Sequence, residues 1–245
     1  MAGNSFGEIL RVSTFGESHG TAMGGMLDGM PAGIWMDVAA VQAALDRRRP
    51  GQNDLTTERK ESDLVQFLSG FHPEPDAQGR LQTLGTPIGF LIPNEDRRSQ
   101  DYAPLADRYR PSHADYTYEA KYGVRDHRGG GRSSARETVC RVVAGALAAQ
   151  LLPPGVRIQP YVARMAGIGI PSDAQLDLTQ AYENPTGCPH AETAEQMRKA
   201  LETRPSADKP SHQDITKALG AFSSETDGTE PGGAPPTRVR RGRRK

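Results

Sequence analysis

Three polar clusters carry residue types suited to gripping a multiply charged anion and moving a proton. The first is Phe15-Gly16-Glu17-Ser18-His19-Gly20, directly after an apolar run. Glycines around Ser18 and His19 permit a tight turn and close approach of a ligand to the backbone. Histidine is the side chain that exchanges a proton near neutral pH, so His19 reads as a proton donor. A structural histidine in a glycine-bracketed turn is the plainer alternative. The second cluster, Arg47-Arg48-Arg49-Pro50-Gly51-Gln52, ends a helical pattern. Its guanidinium groups are either a solvated, dipole-favoured helix end or planar forks at a rim, shaped for phosphate or carboxylate.

The third cluster says most. Arg110-Pro111-Ser112-His113-Ala114-Asp115 leads through a Tyr-rich stretch into Arg128-Gly129-Gly130-Gly131-Arg132-Ser133-Ser134. Glycines feeding a helix N-terminus leave backbone N–H groups free, and the positive end of the dipole favours an anion. Arg132, Ser133 and Arg136 add side-chain donors. The spacing matches neither a Walker loop nor a Gly-x-Gly-x-x-Gly fingerprint. No metal site is expected, because His72, His113 and His127 lack ligand partners at useful spacing.

These clusters need elements to hold them. Residues 7–15, 87–92 and 157–164 read as strands. Asp37 caps a predicted helix through Arg47, with Val38, Val41, Ala44 and Leu45 on one face. Residues 134–152 form the clearest helix, with Ser134 and Glu137 as a capping box and Val139, Val142, Val143 and Ala146 as the buried stripe. A shorter helix spans residues 192–201. From residue 204 onward five prolines and scarcely any large apolar side chains predict a disordered tail.

Composition narrows the class. The 245 residues include 27 Gly and 19 Pro, a globular chain rich in turns. The formal net charge of zero hides an asymmetry: Arg238 to Lys245 hold six basic groups and no acid, leaving 24 basic against 30 acidic groups before them. A mildly acidic body is not the signature of a nucleic-acid binder. Cys140 and Cys188 fit neither a disulfide framework nor a zinc module and read as packing residues. Glu8 and Arg11 interrupt the N-terminus, so no signal peptide is expected, and no apolar run is long enough for a membrane span. A reducing cytoplasm is the expected compartment.

Five stretches, in order, resemble chorismate synthase: GNSFGEILRVSTFGESHG (residues 3–20), DRRRPGQ (46–52), TPIGFLIPNEDRRSQDY (86–102), RPSHADYTYEAKYGVRDHRGGGRSSARET (110–138) and NPTGCP (184–189). The resemblance implies an α+β fold, a β-α-β sandwich with antiparallel sheets whose second half is incomplete here, and a homotetrameric assembly. It implies an anti-1,4 elimination of phosphate from 5-enolpyruvylshikimate 3-phosphate to give chorismate, with reduced FMN as cofactor and, in some members, NADPH. His19 then resembles the histidine that protonates the departing phosphate, with Ser18 beside it. His113 resembles the one that keeps the reduced flavin correctly protonated. Arg132, Ser133 and Ser134 match the flavin-contacting Arg-Ser-Ser, Arg48 a substrate or nicotinamide-phosphate contact, and Arg110 and Arg136 substrate arginines. An inactive family fragment that binds anions or a partner chain without turnover is the alternative.

Two departures stand out. Asp54 occupies a position where many members carry arginine, and an acid there disfavours an anionic phosphate. After about residue 203 the family pattern ceases, so residues 1–203 are expected to be the family part and residues 204–245 a non-family tail. A frameshift or early termination, or else a genuine replacement tail, accounts for the switch.

Overall fold

The computed structural model describes residues 3–49, 61–95, 105–110 and 113–203. The expectations for Asp54 and for residues 204–245 lie outside these. Met1–Leu201 cluster as one unit.

Alternating apolar residues build the main sheet. Strands β1 (Ser5–Phe6), β2 (Arg11–Phe15), β3 (Ala22–Asp28), β5 (Gln66–Phe67) and β7 (Ile88–Pro93) pair antiparallel in the order β1-β2-β3-β7-β5. Along β7 every second residue, Ile88, Phe90 and Ile92, is buried, the period-two pattern of a sheet with one covered face. Its register with β3 sets Met23 opposite Ile92 and Leu27 opposite Ile88. Helices α1 (Val38–Arg48) and α3 (Thr138–Ala149) supply the cover. Val41 and Leu45 of α1 join Val139, Cys140, Val143 and Leu147 of α3 and the buried sheet residues in one core. On the other face, Phe15 is 53% and Met26 43% exposed. Two-stranded sheets pair β4 (Trp35–Met36) with β6 (Leu81–Gln82) and β8 (Arg164–Met165) with β9 (Ile168–Gly169). Helix α2 (Asp115–Tyr122) precedes the glycine loop. Helix α4 (Ala191–Glu202) packs Met197 and Ala194 around Cys188 in a second, small core. The expected α+β class with antiparallel sheets is what the chain adopts.

Three local expectations need correction. Residues 7–15 are not one strand: Gly7, at φ +93°, begins a turn that folds β1 back onto β2. Residues 157–163 belong to no strand, with Ile158 77% exposed; alternation makes a ladder only where a partner strand exists, and only Arg164 finds one. The helix expected from Ser134 begins as a 3₁₀ turn over Ala135–Glu137 and becomes α-helical only at Thr138. The capping box does not close. Ser134 Oγ accepts from Arg136 N–H, while the Glu137 carboxylate turns to Thr14, Arg132 and Arg141. The Asp37 cap does form, its carboxylate accepting from Ala40 N–H at 3.0 Å.

Candidate active site

The β2–β3 turn holds Ser18 and His19, both buried. Ser18 N–H donates to Gly131 O at 3.2 Å, and Asn94 Nδ2 donates to the carbonyls of Glu17 and Gly20, each at 3.0 Å. The turn is thus bound to the glycine loop on one side and to the end of β7 on the other. Gly129, Gly130 and Gly131 all have positive φ, at +61°, +87° and +54°. At Gly129 any Cβ would enter the His19 ring; at Gly130 it would enter the His113 ring and sit 3.1 Å from Arg110 Nη2. Consecutive Cα atoms lie about 3.8 Å apart, so the two imidazoles flank one short piece of backbone.

His113 has a strong partner. Asp115, the first residue of α2, is 3% exposed. Its Oδ2 accepts from Arg110 N–H at 3.0 Å and Nε at 2.9 Å, and its Oδ1 from Arg110 Nη2 at 2.8 Å. His113 Nδ1 lies 2.9 Å from the same Oδ1 and 3.0 Å from Arg110 Nη2. Burial alone would push the Asp115 carboxyl up. The hydrogen bonds and charge of Arg110, with His113, outweigh it and hold the group well below the usual carboxylate range.

A cleft of about 770 Å³ opens beside this loop, lined among others by Gly130, Arg132, Ser133, Asp115, Tyr118 and Arg125. Arg132 donates through Nε to Asn4 Oδ1 and through Nη2 to Thr14 Oγ1 and Glu137 Oε1. Its Nη1 is buried and has no partner among the described residues; the same holds for Ser18 Oγ and Arg125 Nη1. Ser133 Oγ donates to Gly130 O at 2.8 Å, bracing the loop from inside.

Arg48 and Arg136 stand elsewhere. Neither lines the cleft. Asp63, fully buried, takes Arg48 Nη1 at 3.0 Å on one oxygen and Arg136 Nη1 on the other. Arg48 also donates to Ala135 O and Thr138 Oγ1. Arg136 donates to Asn94 Oδ1 and Pro93 O, with Glu61 at 3.5 Å. Both guanidinium groups, expected from the sequence as ligand contacts, are held here by protein acceptors around Asp63.

The structure therefore gathers His19, Ser18, His113, Arg110, Arg132, Ser133 and Ser134 around the glycine loop and leaves Arg48 and Arg136 in a neighbouring charge cluster. Sequence reasoning missed Asp63, Asn94 and Asp115. Only Asp115 left a local trace, five residues after Arg110. Among the described residues no group of three His, Cys, Asp or Glu could hold a metal ion, and no helix is long and apolar enough to cross a membrane.

A helix-backed antiparallel sheet carries a glycine loop against which two imidazoles pack, and Gly130 of that loop lines one cleft with Arg132. Comparison with known proteins gives that site a family. The chorismate synthase family profile matches residues 10–211, and the chain belongs to that family. It is 52% identical over 198 residues to chorismate synthase of Christiangramia forsetii, a match covering 80% of this chain and 54% of that one. With the Azorhizobium caulinodans enzyme it shares 56% over 193 residues, covering 79% and 51%. A crystal structure of chorismate synthase superposes with a TM-score of 0.57 at 26% identity, over 80% of this chain and 52% of that one. The chain spans about half the length of the relatives it matches.

Proposed function

We propose that the chain serves the chorismate synthase reaction, the anti-1,4 elimination of phosphate from 5-enolpyruvylshikimate 3-phosphate. The observation that carries this reading is the seating of His19 and His113 on consecutive glycines, the second of which, Gly130, lines a cleft with Arg132. A phosphate and two carboxylates on the substrate call for guanidinium and backbone N–H donors, and the reaction calls for a proton on the departing ester oxygen.

The residues suit reduced FMN. A cleft of this volume lies within the usual range of about 300–1,000 Å³ for small-molecule sites. The glycine loop lets the His19 and His113 rings pack directly on its backbone, and Gly130 also lines the cleft. Arg132 keeps a buried donor with no partner among the described residues. Arg132, Ser133 and Ser134 would hold the cofactor; when bound it supplies transient electron density that eases departure of the phosphate. NADPH as a reductant remains within the same proposal.

The chain's own groups do the rest. The ring C–O bond breaks with its electron pair leaving on phosphate. The opposite-face C–H bond gives its pair to the new ring double bond and its proton to the side where the reduced cofactor would be held, and His19 donates a proton to the leaving phosphate. Ser18, beside it, orients that transfer. His113 exchanges a proton at Nε2, the ring edge lying against Gly130. Arg110 holds Asp115 and His113, while Arg48 and Arg136 brace the ends of α1 and α3 around Asp63.

The alternative reading is an inactive family fragment that binds anions or a partner chain without turnover. Anaerobic incubation with the enol-ether phosphate and reduced FMN, followed by absorbance of chorismate, separates the two. Turnover abolished by His19→Ala supports the first. Saturable FMN binding without turnover supports the second, and neither binding nor turnover defeats both.

A further inference from the structure

We infer that Asp115 is the positioning residue that fixes the tautomer of His113, keeping the proton on Nδ1 and leaving Nε2 to exchange protons beside Gly130. An ionised carboxylate has about four lone-pair sites and no donor. At Asp115 these meet three donors, Arg110 N, Nε and Nη2, and His113 Nδ1 lies 2.9 Å from Oδ1. Were Nδ1 to carry the lone pair, it would face a carboxylate oxygen at 2.9 Å, lone pair against lone pair, inside a site only 3% exposed. Arg110 Nη2 carries two hydrogens, one given to Oδ1 at 2.8 Å and the other facing Nδ1 at 3.0 Å, but that second contact does not remove the carboxylate charge beside Nδ1. The nearer, charged Oδ1 at 2.9 Å favours a proton on Nδ1 over a lone pair there.

The lowered proton affinity of Asp115 agrees with this arrangement. A carboxylate so held stays an acceptor across the range in which an imidazole titrates, so its hold on the ring does not switch off with pH. Arg110 is its counterion, which also gives this sequence-predicted substrate arginine a defined structural task.

The inference rests on the proposed role of His113, but its test reads the ring directly. The probe is the full 245-residue chain labelled with ¹⁵N-histidine, followed by long-range ¹H–¹⁵N correlation from about pH 6 to about pH 9. His113→Gln assigns the ring by loss of its signals. The expected wild-type result is the Nδ1–H pattern for the neutral ring. In Asp115→Asn the amide oxygen keeps the two Arg110 donors at the Oδ2 position and turns its NH₂ toward the ring, so the pattern should change to Nε2–H while the His190 signals hold. An Nε2–H pattern in the wild type, or an unchanged Nδ1–H pattern in a folded Asp115→Asn chain, overturns the inference. Should the variant fail to fold, the wild-type pattern decides alone. Absence of FMN binding with the Nδ1–H pattern intact would defeat the proposed function and leave the role of Asp115 standing.

Discussion

The backbone N–H of Ser18 donates to the carbonyl oxygen of Gly131 at 3.2 Å. That bond ties the turn carrying His19 to the loop on which His113 also rests, and it works only while the loop keeps its three positive φ angles. Gly129→Ala forces an L-residue to φ +61° and drives a methyl into the His19 ring. The expected loss is about 1–3 kcal/mol from the backbone alone. Thermal melting followed by circular dichroism checks it, and an unchanged midpoint contradicts the packing described.

Asp63 is fully buried between Arg48 and Arg136 and itself sits at φ +50°. Asn tolerates that conformation, so Asp63→Asn isolates the charge. Removing one partner of a buried ion pair costs about 3–5 kcal/mol, and here two guanidinium groups lose their anion. Melting should shift down by about 2–4 °C for each kcal/mol lost. Arg48→Lys, changed on the more exposed side of the cluster, should cost less.

How much of this was legible beforehand follows from how local each signal is. The helix from Asp37 was readable because its cap and its apolar face lie within eleven residues. The two histidines and Arg132 were readable because glycines and family motifs surround them. Asp63 was not: its arginine partners lie 15 and 73 positions away, and nothing near it marks a buried acid. Glu137 misled for the same reason. Its spacing from Ser134 is that of a capping box, yet Thr14, 123 residues distant, helps hold its carboxylate elsewhere.

Acid should loosen the site in a defined window. The folded-state pKa of Asp115 lies below its unfolded value, so the ionised group stabilises the fold fully above about pH 3.9. That contribution is lost as the pH falls below this value toward the lowered one. Glu137 is lowered as well: burial opposes its charge, but the hydrogen bonds of Arg141 and Thr14 prevail. Melting midpoints should drop steeply below about pH 4, less so in Asp115→Asn. A variant as acid-sensitive as the parent would contradict the assignment.

Both cysteines are fully buried, and burial pushes the Cys140 thiol up to about 12. The thiolate is the reactive form. A chromogenic disulfide reagent should therefore find no fast-reacting thiol in the native chain and two in denaturant. Rapid native labelling of Cys140 would show that α3 does not pack against β3 as described.

The uncovered sheet face carries Phe15 and Met26, 53% and 43% exposed. Exposed apolar surface of this kind promotes association. Light scattering across a concentration series should show Phe15→Ser/Met26→Ser self-associating less than the parent; equal association would assign the tendency to another surface.

One amide connects the two halves of the site. Asn94 gives both Nδ2 hydrogens to carbonyls flanking His19 and receives Arg136 Nε on its oxygen. Its nitrogen and oxygen cannot trade places without setting donor against donor at one end and acceptor against acceptor at the other. Residue 94 is therefore a one-way coupling: a shift of the arginine pair beside Asp63 pulls on the peptide groups that aim the proton-bearing ring, across a span no covalent bond bridges.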